Sequence, residues 1–124
     1  MIAVLAVLAM VQDMPASITE AQFCRRMRAE ADPTMAALPT MVDDVTRVTG
    51  MTSDCSRRSV SWHRQILVPM AGLQSGWRGQ VQARFNASVC GNPAHARMAR
   101  RGWRFLQHLT FALGERVIIE ARCT

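Results

Sequence analysis

The stretch SVCGNPAHARMARRGWRF, residues 88–105, holds the side chains of this chain best suited to chemistry. Cys90 stands five positions before His95 with Asn92 between them, and Arg97, Arg100, Arg101 and Arg104 follow. A thiol, an imidazole and an orienting amide could form a nucleophile and its base. The same residues carry a competing set of local signals. Asn92 and Pro93 form an N-cap and first-turn pair, and Gly102 is a helix stop. A helix ending at Cys90 puts the thiol at the negative end of a dipole, which disfavours the thiolate. The stretch therefore parses as helix end, helix start, glycine stop and strand start, and we expect no catalytic residue in it.

Other chemistries are weaker. His63, His95 and His108 are scattered without His-x-x-x-His spacing, and no paired-cysteine motif accompanies them, so we expect no metal and no cofactor. Each histidine reads as a surface or locally satisfied residue. GLQSGWRG, residues 72–79, lacks the Lys-Ser/Thr ending of a phosphate loop. Asp43 and Asp44 read as a solvated turn at a strand start.

Four cysteines, Cys24, Cys55, Cys90 and Cys123, make an even set in a chain of 124 residues. In an oxidising compartment such a set suggests two disulfides, and the residues alone leave three pairings open. Export is therefore the deciding question. MIAVLAVLAMV is an eleven-residue apolar run, too short for the roughly 20 residues of a membrane-spanning helix and the length of a signal-peptide core. No basic residue precedes it, and only a mediocre cleavage site follows at Ala16. We expect residues 1–16 to be an apolar N-terminal segment or signal remnant, with membrane contact through residues 1–12, and residues 17–124 to be one domain. Cys24 follows Ala21-Gln22-Phe23 rather than a Leu-x-x-Cys lipobox, which argues against a lipid anchor there.

The net charge is +6 and all fifteen cationic residues are arginine. Guanidinium forks suit phosphate and carboxylate, although a GC-rich coding bias also explains the missing lysine. Arginines interleaved with Trp103 are what a nucleic-acid stacking platform would show. Trp103 falls on a core parity and export removes that partner, so we expect no nucleic-acid binding.

The elements that must position these residues follow from caps and periodicity. SITE, residues 17–20, predicts a helix start by a capping box of Ser17 and Glu20. That helix carries Cys24, Met27 and Ala31 on one face, kinks or restarts at Asp32-Pro33, and ends near residues 38–39. Strands are predicted at about 44–53 and 58–68. Val60, Trp62 and Ile66 face the core, while Ser59, Ser61, His63 and Gln65 face away. A helix over about 76–90 presents Trp77, Val81, Phe85 and Val89 at steps of four. The last segment reads as a hairpin with Trp103, Phe105, Leu109 and Phe111 on one face, answered by Val117, Ile119, Ala121 and Cys123. The sum is an α+β domain of order α-β-β-α-α-β-β: an antiparallel sheet of about four strands, helices packed on one face, stapled by disulfides.

LPTMVDDVTR at 38–47, SVCGNP at 88–93, RRGW at 100–103 and the terminal ARC resemble a group of small, uncharacterised exported bacterial proteins with an LP-x-M-V-D-x-x-T-R, C-x-x-P and final-cysteine pattern. More distantly, this order is similar to the pilotins of type II secretion systems, which escort the secretin. Both resemblances imply a disulfide carried here onto Cys90 and Cys123. We therefore expect Cys90–Cys123 and Cys24–Cys55, each closing a loop worth about 3.5 kcal/mol in the chain-entropy model. Cys24 and Cys123 lie on predicted core faces, and Cys90 ends a helix that must pack on the last strand. The functional expectation is a periplasmic or secreted accessory domain without catalysis, binding an envelope protein or an anionic surface through Arg97, Arg100, Arg101 and Arg104. A pilotin-like escort is the alternative. A small hydrolase is the alternative from another class, for which no acid, base and nucleophile can be named.

Overall fold

The structure, a computed structural model, describes residues 14–123, so the expectations for the apolar run and for membrane contact lie outside the described residues. Met14 is already buried in the core.

The first helix, α1, runs Glu20–Ala36. Its capping box lies two residues later than expected. The Thr19 amide donates to Gln22 Oε1 at 3.0 Å, and the Gln22 amide donates to Thr19 Oγ1 at 3.1 Å. Ile18 and Phe23 occupy the N′ and N4 positions of a hydrophobic staple and are both buried. Glu20 is used elsewhere: its carboxylate accepts from the Trp103 indole at 2.8 Å and pairs with Arg58 at 3.0 Å. Pro33 sits inside the helix without ending it. It is exposed, in the last turn, where only one backbone bond is lost to its missing N–H.

Five strands follow: β1 Thr40–Met41, β2 Thr46–Asp54, β3 Ser59–Ile66, β4 Arg104–Phe111 and β5 Arg116–Glu120. They form one sheet in the order β1-β2-β3-β4-β5. Two expectations are corrected here. The two-residue β1, paired through Thr40↔Val48 and Met41↔Arg47, is too short to carry a periodicity and adds a fifth strand. The sheet is mixed rather than antiparallel, because β3 and β4 run parallel, Ser59↔Arg104 to Ile66↔Phe111. Tight turns join β2 to β3 and β4 to β5. Between β3 and β4 the chain crosses over through a 3-10 turn at Met70–Gly72 and two helices, α2 Trp77–Cys90 and α3 Pro93–Arg100. A crossover of that length brings the chain back to the end where β3 began, and the next strand then runs the same way.

Strict alternation on β3 and β4 assigns the faces. Val60, Trp62, Ile66, Phe105, Leu109 and Phe111 are buried against the helices with Phe23, Met27, Phe85, Val89 and Met98. Arg64 shares that parity and is 2% exposed. Burial lowers its guanidinium pKa to about 10, and the charge of Asp43 pulls it back up. Among the described residues, no helix lies on the opposite face, which carries Ser61, His63, Gln65, His108 and Thr110.

Candidate functional site

The Cys90–His95 stretch folds as its caps dictate. Asn92 Oδ1 accepts from the amides of Ala94 at 3.1 Å and His95 at 3.2 Å, with Pro93 opening the helix. Gly91 is required by close approach, since a Cβ there would lie 2.5 Å from the Ala87 carbonyl oxygen. Cys90 is bonded to Cys123 with Cα atoms 5.4 Å apart, tying the end of α2 to the chain after β5. Cys24 is bonded to Cys55 at a Cα separation of 5.9 Å, tying α1 to the β2–β3 turn.

His95 does not sit on the surface. It is 0% exposed, with its ring stacked on Phe105 at 4.9 Å and edge-on to Phe23 at 5.6 Å. Neither ring nitrogen has a hydrogen-bond partner among the described residues. Burial with no compensating anion lowers its pKa to about 4, so it is neutral at neutral pH. A disulfide sulfur and a buried imidazole cannot act as nucleophile and base.

The four arginines after His95 divide. Arg97 donates to the Ala16 carbonyl at 3.2 Å, holding the start of the domain onto α3. Arg104 grips Glu120 with two bonds, at 2.8 and 3.1 Å, which raises the guanidinium pKa and lowers that of the carboxyl. Arg100 and Arg101 are exposed at the end of α3. Arg58, whose backbone φ is 51°, donates to the Arg101 carbonyl at 3.2 Å and so brings the β2–β3 turn to this end of the molecule.

A second constellation escaped the sequence reading. His63 and His108 are 45 positions apart, and a parallel register places them directly opposite each other with rings stacked at 4.6 Å and an interplanar angle of 25°. Both already lay on the polar parity of their strands. What the sequence could not supply was the parallel direction that pairs them. His108 Nε2 lies 3.3 Å from Ser61 Oγ. Burial lowers both pKa values, and for His108 the neighbouring His63 charge lowers it further. Around the pair the uncovered sheet face forms a groove of about 500 Å³ lined by Thr49, His63, Gln65, His108, Arg116 and Ile118 among others. The Arg47 guanidinium is held beside it by Gln65 Oε1, with Nε at 3.1 Å. Nearly parallel rings cannot aim two in-plane lone pairs at one ion. Among the described residues no three His, Cys, Asp or Glu side chains gather into a metal-binding group.

No protein-family model matches the chain, and no curated protein matches it in sequence. Solved structures share its fold. A Pseudomonas aeruginosa protein described as secreted superposes with a TM-score of 0.62 at 15% identity, over 86% of this chain and 94% of that one. The pilotin EpsS of the Vibrio vulnificus type 2 secretion system superposes with a TM-score of 0.59 at 13% identity, over 82% of this chain and 89% of that one. At such identities the likeness is one of fold.

Proposed function

We propose that this chain is an exported, disulfide-stapled accessory domain that works by binding a protein partner in the bacterial envelope and carries out no catalysis. The observation that carries the reading is the use of all four cysteines in two bridges that each join distant elements. Bridges of this kind persist in oxidising compartments and are rare where thiols are kept reduced. Sharing a fold with a protein described as secreted and with a pilotin supports export and a secretion-related role. A role without catalysis is supported by the state of the Cys–His pair that the sequence singles out, since Cys90 is bridged and His95 is enclosed. Arg100 and Arg101, exposed at the end of α3, are the arginines best placed to meet a partner, flanked by Arg97 and Arg104.

A second reading, escort of a secretion component, is favoured by the fold shared with EpsS. Cell fractionation combined with thiol alkylation tests the main one. The chain is expected in the envelope or medium with no alkylatable thiol until reduction. A cytosolic chain with four free thiols would overturn compartment and partner class together.

A further inference from the structure

We infer that the outer edge of β5, with the Arg116 wall of the groove beside it, binds an extended acidic peptide segment of a protein partner. The inference rests on the binding role proposed above and adds to the arginines at the end of α3 a second contact surface with its own ligand chemistry.

The edge comes first. Phe111 donates to the Glu115 carbonyl at 2.8 Å, and Ala121 donates to the Phe105 carbonyl at 2.9 Å. With the register Leu109↔Val117 and Gln107↔Ile119, residues 115, 117, 119 and 121 of the last strand therefore turn their backbone groups toward β4. By the alternation of an antiparallel pair, Arg116, Ile118 and Glu120 turn theirs outward. At one end α2 satisfies them: Gln82 Nε2 donates to the Glu120 carbonyl at 2.7 Å, and the Arg122 amide donates to Asn86 Oδ1 at 2.8 Å. At Arg116 and Ile118 no strand or helix side chain among the described residues does so, and β5 is the last strand of the sheet. An edge of this kind is a template for one more strand.

The occupant follows from charge and from what is missing. The groove beside this edge is lined by Arg116 and the two imidazoles, and no carboxylate lines it. The acidic side chain of β5 that shares the open-face parity, Glu120, is already held by Arg104. Two copies meeting face to face would therefore oppose cation to cation, which argues against self-association through the groove. Nucleic acid would satisfy the charge, but the tryptophans and phenylalanines are buried or half-buried on the helix side, so no indole or phenyl ring is offered to a base. Its backbone also has no alternating amides and carbonyls for the β5 edge. Ile118, 61% exposed, adds an apolar contact that a peptide side chain can cover. An extended peptide with carboxylates on alternate residues satisfies the edge through its main chain and places its acids beside Arg116, at the β5 wall of the groove.

The test uses the disulfide-intact chain and fluorescence anisotropy with labelled decapeptides. Alternating glutamate–valine is expected to bind saturably. Glutamine–valine, which lacks the charge, and a glutamate–valine peptide N-methylated at every backbone amide, which keeps the charge but lacks main-chain donors, are each expected to bind at least tenfold more weakly. Arg116→Glu is expected to lose tenfold or more for glutamate–valine and to gain affinity for lysine–valine, a swap that misfolding would not produce. Equal affinity for the glutamate and glutamine peptides, tighter binding of an oligothymidylate, or no binding at all would overturn the inference. A photo-crosslinker at position 100, read in cells, separates the two levels. Crosslinks to an envelope protein with no peptide binding would remove the groove and leave the accessory role standing, whereas peptide binding in a chain found only in the cytosol would remove that role and leave the groove.

Discussion

Replacing His95 with phenylalanine should flatten the acid side of the stability profile. The imidazole is 0% exposed between Phe105 and Phe23, and its pKa is lowered from 6.5 to about 4 because burial penalises the charged ring. In the unfolded chain the same group titrates near 6.5. Between these values the unfolded chain binds a proton that the folded molecule refuses, so unfolding free energy rises with pH across this window. The stability contribution is fully present above 6.5 and is lost as pH falls toward 4. At about 1.4 kcal/mol per pH unit of displacement, the loss across the window is about 3 kcal/mol, a large part of the stability of a small domain. Near pH 5 the slope from this one group is about 1.2 kcal/mol per pH unit.

Urea unfolding at pH 7.5, 6.5, 5.5 and 4.5 with both disulfides intact, followed by tryptophan fluorescence, gives the comparison. The carboxyls with lowered pKa values, Asp54 and Glu120, lose their contribution at lower pH in both proteins and cancel in the difference. Repacking by the larger ring shifts the whole curve of the variant by a constant, so the slope is the readout. The variant should lose about 2.5 kcal/mol less than the parent over this range. Parallel curves would refute the placement of His95 as a buried, unpaired imidazole.

Three further perturbations follow from the same geometry. Cys90→Ser together with Cys123→Ser opens a loop spanning 33 positions and should cost about 3.5 kcal/mol in urea unfolding, the remaining bridge being intact. Glu20→Gln leaves the buried Trp103 indole with a neutral acceptor and removes the partner of Arg58; a loss of about 1 to 2 kcal/mol is expected, with a shift in tryptophan emission. Proton NMR titration should place the midpoints of His63 and His108 below 6.5, and His63→Gln should raise the His108 midpoint, since the His63 charge is one cause of its depression.

The residues themselves carried much of the local structure. Asn92-Pro93 and Gly102 delimited α3 because capping is a matter of a few adjacent groups. Alternation assigned Val60, Trp62, Phe105 and Leu109 to the core because strand parity needs no knowledge of neighbours. The same locality misled where a residue had a distant use. Ser17 with Glu20 looked like a capping box, yet Glu20 is drawn to Trp103 and Arg58, 83 and 38 positions away, and the cap passes to Thr19 and Gln22. His95 carried no mark of burial beyond lying on the inner face of a short helix.

What the sequence by itself determined was the longer helices and strands, their inward faces and an even count of cysteines, all properties of neighbouring residues. Only the tertiary structure decided which partners meet. The helical crossover between β3 and β4 made that pair parallel, and this direction alone sets His63 against His108. The packing of α1 on the β2–β3 turn and of α2 beside β5 selects one of three cysteine pairings, because a disulfide requires its Cα atoms within about 7 Å, a distance fixed by folded elements and not by spacing along the chain.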